Sequence, residues 1–468
     1  MLPQSVSRGS DEDSRPIKTG TFWTASAHIS LAMVAMVAPV VHSAVAPVLL
    51  SVASDIANLG WIAGPAAICL ISLVCYCTSR LLCDCYRTDH PASGDDKPNY
   101  TYADAIRSSG IPHNEAKAKA CAFIQYSTLL GRAISITVGA SVSMMAIKYM
   151  NCFHESWEKE CHISSNPYAI IFGITEILLS QIPDFNGIWW VSMVSVVMFF
   201  TYSFIGLGQA IAQVAAGGSD ESNEAVTKTE KIWMSFQALG DIASAYSFSE
   251  ILIEIQDTIG SSSDAKTTMK NATLLSTVVT TTLFMLWGCV GYAALGDATP
   301  KDLTDLAFDR PFWLYYIANA AILINFVGGY QICSQPIFAF VEEQAANRWP
   351  RTRDREIPLP GLGHYKMNLF RLVWRTVFVI LTTVISMAFP LFNDVVDIIT
   401  LGFWPLAVYF PIEMYIERED IKRWSAKWVC LQMLSMACLV LSIMATVGSI
   451  AGLKDDLKDN RPFRMGYY

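Results

Sequence analysis

The residues with the most chemistry in this chain are charges set inside otherwise apolar runs. Gly240 and Asp241 stand together within Ala238-Leu239-Gly240-Asp241-Ile242-Ala243. Asp55, Arg132, Glu176 and Glu250 are likewise enclosed by apolar residues. Glu250 and Glu254 lie one helical turn apart, on one face. A charge in hydrocarbon is costly and is kept where it meets a ligand, a proton or a partner charge. These residue types therefore point to reversible binding of a polar ligand or a proton, not to covalent catalysis. Arg132 is positioned to pair with Glu176 or Asp55, while Glu254 reads as a solvated cytoplasmic helix end. The seven histidines, His28 and His42 among them, show no zinc-protease spacing, and no Gly-rich phosphate loop is present. The chain is not expected to be an enzyme, and no metal site is expected.

Helix-breaking residues sit in the same runs. The first run, from His28 to Asn58, is about half again the roughly 20 residues a helix needs to cross a bilayer. It contains Pro39 and Pro47, within the repeated tetrapeptides Val37-Ala38-Pro39-Val40 and Val45-Ala46-Pro47-Val48. Proline removes a donor and clashes with the preceding turn, so a break is expected near Pro47. That break is either a simple kink below an interfacial piece or an unwound ligand-binding segment. Gly240-Asp241 predicts a second break. Gly402-Phe403-Trp404-Pro405 and Pro411 predict a kink in a later run.

The elements that carry these residues are membrane helices. The chain has 468 residues, 53% hydrophobic and only 16% charged, against about 25% charged in soluble chains. In lipid the backbone must satisfy its own hydrogen bonds, so the apolar runs are helices. Spans are expected at 28–58, 62–82, 121–147, 167–182, 188–214, 232–255, 273–295, 313–340, 372–390, 396–416 and 428–450. The predicted fold class is an all-α integral membrane protein with about 11 transmembrane helices. Residues 1–27 read as a polar cytoplasmic tail, 28–450 as the transmembrane domain and 451–468 as a C-terminal tail. The excess of Lys and Arg in alternate loops, above all Arg348, Arg351, Arg353 and Arg355, favours a cytoplasmic N-terminus and an outside C-terminus. The net charge of −8 and the lack of a long basic run argue against a nucleic-acid partner.

Twelve cysteines are scattered, mostly within spans. Cys152 and Cys161 share one outside loop, where a disulfide is compatible with an oxidising face. Cys83 and Cys85 read as possible acylation sites at a cytoplasmic helix end rather than metal ligands.

Breaks in the first and sixth spans stand five spans apart. That spacing fits two inverted repeats, about 28–214 and 232–416, with an extra helix at 428–450. Residue order then becomes recognisable. Lys18-Thr19-Gly20-Thr21, Leu59-Gly60-Trp61-Ile62-Ala63-Gly64-Pro65 and Ser180-Gln181-Ile182-Pro183-Asp184-Phe185 resemble the plant amino acid permeases of the amino acid/auxin permease family. So do Phe236-Gln237-Ala238-Leu239-Gly240-Asp241-Ile242-Ala243, Ile253-Glu254-Ile255-Gln256-Asp257-Thr258 and Phe403-Trp404-Pro405-Leu406-Ala407-Val408-Tyr409-Phe410-Pro411.

The resemblance implies an eleven-span LeuT-like fold with a 5+5 inverted repeat. It implies proton-driven import of neutral and acidic amino acids across the plasma membrane, with no cofactor beyond the proton gradient. The implied partners are an amino acid substrate and the lipid bilayer, with no obligate protein partner evident. The substrate would lie between spans 1, 3, 6 and 8. Its carboxylate would meet the opened backbone at Ala46, Pro47, Val48 and Ser51, and its ammonium would face Gly240, Asp241 and Ser244. Asp241 is the candidate for proton coupling, or else a helix cap at the break. Where the family has a Gly-Ser-Gly-Val-Leu-Ser-Leu type stretch, this chain has Ala46-Pro47-Val48-Leu49-Leu50-Ser51-Val52, with neither glycine. The family is also uncharged where this chain has Asp55, Arg132, Glu176 and Glu250. These departures keep open an alternative, a diverged non-transporting homologue that senses amino acids or regulates a partner.

Overall fold

The computed structural model describes residues 49, 51–88, 97–98, 101–155, 163–182, 185–217, 228–257, 265–299, 311–349, 356–358, 366–388, 402–459 and 466–467. Ala46, Pro47 and Val48, and with them the expected break at Pro47, lie outside the described residues.

Helices dominate. In chain order they are α1 (Val52–Leu59), α2 (Ala63–Asp84), α3 (Tyr102–Ser108), α4 (Asn114–Glu155), α5 (Asn166–Leu179), α6 (Phe185–Ala215) and α7 (Lys228–Ala245). After a 3-10 turn (Phe248–Ile251) come α8 (Leu252–Asp257), α9 (Ala265–Leu295), α10 (Phe312–Arg348) and α11 (Leu369–Ala388). A π-helical segment (Trp404–Tyr409) then leads into α12 (Phe410–Arg418) and α13 (Ala426–Asp459). Seven of these helices are long and apolar enough to cross a bilayer. α5 is apolar but short, and the first, sixth and tenth predicted spans are represented by pieces. Lipid-facing apolar side chains are exposed, as on α5, where Ile174 and Leu178 are 56% and 70% exposed.

The helices form two packed groups. α4, α5, α10 and α11 touch one another, and α6 lies against α10. α1, α2, α7 and α9 form the other group, with α13 against α7. α4 is 42 residues long, about 63 Å at 1.5 Å per residue, so it reaches well past the hydrocarbon. Its middle is buried and rich in small residues (Ala133, Ala140, Ser141, Ser143), which lets neighbouring helices approach closely.

α1 is docked by glycines. A Cβ on Gly291 of α9 would stand 2.7 Å from Ala53 Cβ, and one on Gly64 of α2 would stand 3.0 Å from Ile56 Cγ1. The chain then turns at Gly60, whose φ of +86° suits glycine. Ser235 Oγ of α7 donates to Asn58 O at 3.1 Å, tying the two elements together.

Among the described residues, three short antiparallel pairings lie outside the helices: β1 (Arg87–Thr88) with β2 (Lys97–Pro98), β3 (Ile163–Ser164) with β6 (Gly466–Tyr467), and β4 (Glu356–Pro358) with β5 (Lys366–Asn368). The β3–β6 pairing places the C-terminal strand on the same side as the segment that follows α4. At the opposite helix ends, Lys270 pairs with Asp84 at 2.7 Å. Cys152, at the end of α4, is disulfide-bonded, and Cys161 lies outside the described residues. Cys83 and Cys85 are buried, which removes the surface thiols that acylation there would require.

Candidate substrate site at the interrupted helix

The sixth span breaks, though not where its Gly-Asp pair predicts. α7 is continuous through Gly240 and Asp241 and ends at Ala245. A lone helical glycine costs only about 1 kcal/mol, which neighbouring packing absorbs. The break falls in Ser244-Ala245-Tyr246-Ser247-Phe248-Ser249. There Ser244 Oγ donates to Asp241 O at 2.9 Å and Ser247 Oγ to Ala243 O at 3.2 Å. Serine hydroxyls that bond nearby carbonyls compete with the helical ladder. The amides of Tyr246, Ser247 and Glu250 each reach back three residues, to Ala243, Ser244 and Ser247. The backbone tightens to a 3-10 turn before α8 resumes the span.

α4 holds this break with two side chains seven residues apart on one face. Gln125 Nε2 donates to Glu250 O and to Glu254 Oε1 at 2.8 Å. Arg132 Nη2 donates to Ser244 O at 3.2 Å and to Glu250 Oε1 at 3.4 Å, and Arg132 Nε stands 3.4 Å from Glu250 Oε2. All of Gln125, Arg132 and Glu250 are buried. The partner of Arg132 is therefore Glu250, not Glu176 or Asp55. Glu250 sits within the 3-10 turn, where it can reach across to α4, and Glu176 is engaged elsewhere. At 3.4 Å both contacts are at the long end of hydrogen-bonding range, so this pair is held loosely. Glu254 is not a solvated helix end, because its carboxylate folds back onto Gln125.

The tenth span meets the same face of α4. A Cβ on Gly402 would stand 2.7 Å from Thr128 Oγ1, between Gln125 and Arg132. Beyond Gly402 the chain widens to the π-helical segment, and such segments recur at functional sites. Leu406 O accepts Tyr102 Oη at 2.6 Å, from the fully buried Tyr102 of α3. Trp404 Nε1 donates to Ser435 O at 2.9 Å and so ties the segment to α13.

Of the expected site residues, Gly240, Asp241 and Ser244 share α7, with Gly240 and Ser244 buried and Asp241 half-buried. Ser51 immediately precedes α1, where its carbonyl accepts Asp55 N–H at 3.0 Å. α1 and α7 pack against each other, so the structure brings the two segments together. Gln125, Tyr102, Thr128 and Ser247 are additions that sequence reading missed. The signal for Gln125 was its seven-residue offset from Arg132 on an apolar helix.

Among the described residues, long apolar helices surround an interrupted span with buried charge at the interruption, an arrangement suited to a membrane transporter. Residues 19–454 match the family described as "Transmembrane amino acid transporter protein", and the chain belongs to that family. It is similar to amino acid permease 4 of Arabidopsis thaliana, 54% identical over 482 aligned residues that cover 100% of each chain. Amino acid permease 2 of that plant is 54% identical, covering 99% of this chain and 94% of its own. Among solved structures, a mutant manganese transporter from Eremococcus coleocola aligns with a TM-score of 0.55 at 12% identity, covering 94% of this chain and 90% of that one. That likeness concerns the fold alone, which is LeuT-like. The chain is thus a multi-pass membrane protein and an amino acid transporter.

Proposed function

We propose that the protein is a proton-coupled symporter that imports neutral and acidic amino acids across the plasma membrane. The observation that carries the reading is the interruption of the sixth span at Tyr246–Ile251, clasped by Gln125 and Arg132. Interrupted helices at mid-membrane offer main-chain dipoles to a polar substrate. The substrate lies between α1, α4, the α7–α8 break and α10. Its carboxylate meets the start of α1 at Ser51 and the preceding Ala46, Pro47 and Val48. Its ammonium faces the α7 side, at Gly240, Asp241 and Ser244. Asp241 is the proton-responsive group there, and no cofactor beyond the proton gradient takes part.

The N-terminus is cytoplasmic and the C-terminus outside. The disulfide at Cys152, with Cys161 as its partner, fits an oxidising outer face, and β6 pairs on that same side. The repeats span about 28–214 and 232–416, and transport rocks the α1–α2–α7–α9 group against the α4–α5–α10–α11 group.

One observation favours a second reading. The Arg132–Glu250 pair bridges the break, as expected of a homologue that binds amino acid without moving it. Uptake of labelled amino acids by proteoliposomes separates the two. An inward proton gradient is expected to enhance uptake, gradient-independent uptake removes the coupling, and binding without uptake favours the sensor.

A further inference from the structure

Outside the interrupted helix lies a second buried carboxylate with no role so far. Glu176 of α5 is 0% exposed. Its Oε2 accepts Gln331 Nε2 of α10 at 2.7 Å. The same amide nitrogen donates to Ser180 Oγ at 3.0 Å, so both amide N–H groups are used. Two oxygens in this cluster are buried with no donor, Glu176 Oε1 and Gln331 Oε1.

The charged and titratable groups on the packed helices are committed elsewhere. On α11, Arg375 Nε donates to Glu342 Oε1 at 2.7 Å and Arg371 Nε to Glu342 Oε2 at 3.0 Å, so both cations are turned to one shared α10 carboxylate. Arg375 Nη1 also takes Ser180 O at 2.7 Å and Ile182 O at 2.8 Å. On α4, Arg132 is turned to Glu250. On α10, Tyr330 Oη shares a hydrogen bond with Thr382 Oγ1 at 2.8 Å. Among the described residues, no cation stands within ion-pair distance of Glu176.

A buried carboxylate with no countercharge and one bare oxygen is costly as an anion. One added proton removes the mismatch. Placed on Glu176 Oε1, it supplies a donor for the bare Gln331 carbonyl while Gln331 Nε2 keeps its bond to Oε2. Acid and amide then exchange two hydrogen bonds, and the charge is gone. We propose that Glu176 and Gln331 form a proton-binding site between α5, α10 and α11, apart from the interrupted helix. The step is simple addition of a proton to a carboxylate, with no other bond made or broken. Glu176, Gln331, Ser180, Arg375 and Glu342 form a continuous polar chain, and Glu342 at its end is 17% exposed.

The use of this proton in coupling rests on the symport reading, whereas the protonation itself does not. The test is infrared spectroscopy of the protein reconstituted in liposomes, from mildly acidic to mildly alkaline buffer. The wild type is expected to show a carboxylic-acid C=O absorption at neutral pH that shifts in heavy water. Glu176→Gln is expected to lose that absorption, and Asp241→Asn to keep it. Gln331→Ala, which removes the amide but keeps the acid, is expected to move it to higher frequency. An absorption unchanged in both Glu176→Gln and Gln331→Ala overturns the proposal, as does its absence from the wild type. Uptake measured in the same liposomes reads the transport function separately. Absorption without uptake leaves this site standing and removes the symport reading, and uptake without the absorption does the reverse.

Discussion

The two helix groups handle buried polarity in opposite ways. At the α7–α8 break, the main chain itself is opened. The Ser244 carbonyl accepts both the Ser247 amide in the tight turn and Arg132, and the Glu250 carbonyl accepts Gln125, both from α4 across the interface. In the α5–α10–α11 cluster the helices stay wound, and side chains meet one another around Glu176, Gln331 and Arg375, with Arg375 also taking the Ser180 and Ile182 carbonyls just past the end of α5. The first arrangement is loose, with ion-pair contacts of 3.4 Å. The second is tight, with Arg375 at 2.7 Å from both Glu342 and Ser180 O. The contrast fits a moving element seated on a rigid one. An opened backbone can trade side-chain partners for substrate, whereas a guanidinium fixed by three short bonds cannot.

Substitutions in each region sharpen that contrast. The largest effect is expected at Arg375, 1% exposed. Arg375→Leu leaves the Ser180 and Ile182 carbonyls bare and half undoes the Glu342 pairing. Breaking such a buried pair costs about 3–5 kcal/mol, to be read as a fall in melting temperature in detergent. Arg375→Lys is expected to recover only part, because an ammonium lacks the guanidinium fork. At the break, Arg132→Leu strands Glu250 and is expected to cost about 3 kcal/mol. The double variant Arg132→Leu with Glu250→Leu is expected to regain most of that stability and still transport poorly. Full uptake by the double variant would count against a functional role for the clasp.

Smaller effects follow from packing. Gly291→Ala puts a methyl 2.7 Å from Ala53 Cβ, and neither group can rotate away. Overpacking of this kind costs about 1–3 kcal/mol and shifts α1, so uptake is expected to fall more than melting temperature. Gly328→Ala, which crowds Ser195 on α6, is the scaffold counterpart, and there stability is expected to fall more than uptake. The smallest effect is expected for Tyr102→Phe. It removes one hydrogen bond to Leu406 O, worth about 1 kcal/mol, and loosens the π-helical segment with little change in folding.

The fold was legible in the sequence because the hydropathy of a membrane helix is a local property. The expected spans from 62–82 onward each have a helical counterpart, and the sixth was rightly expected to be interrupted. The position of that interruption was less legible. Gly240-Asp241 looks like poor helix in isolation, yet α13 and α1 support α7 through it. The serines at 244 and 247 look unremarkable in sequence, but their hydroxyls bond to the carbonyls of Asp241 and Ala243. Charge pairing was the least legible. Whether Arg132 meets Glu250, Glu176 or Asp55 depends on how α4 is rotated against three other helices, and no local pattern encodes that rotation. Glu254 misled for the same reason, since its partner Gln125 comes from α4.

The central claim is that the unwound turn at Tyr246–Ile251 contacts the substrate. Hydrogen–deuterium exchange of the reconstituted protein, followed by peptide mass spectrometry, tests it most directly. Saturating amino acid is expected to slow exchange in peptides covering 244–251 and to leave peptides of α5 and α11 unchanged. Exchange across 244–251 that is indifferent to a transported amino acid would contradict the account.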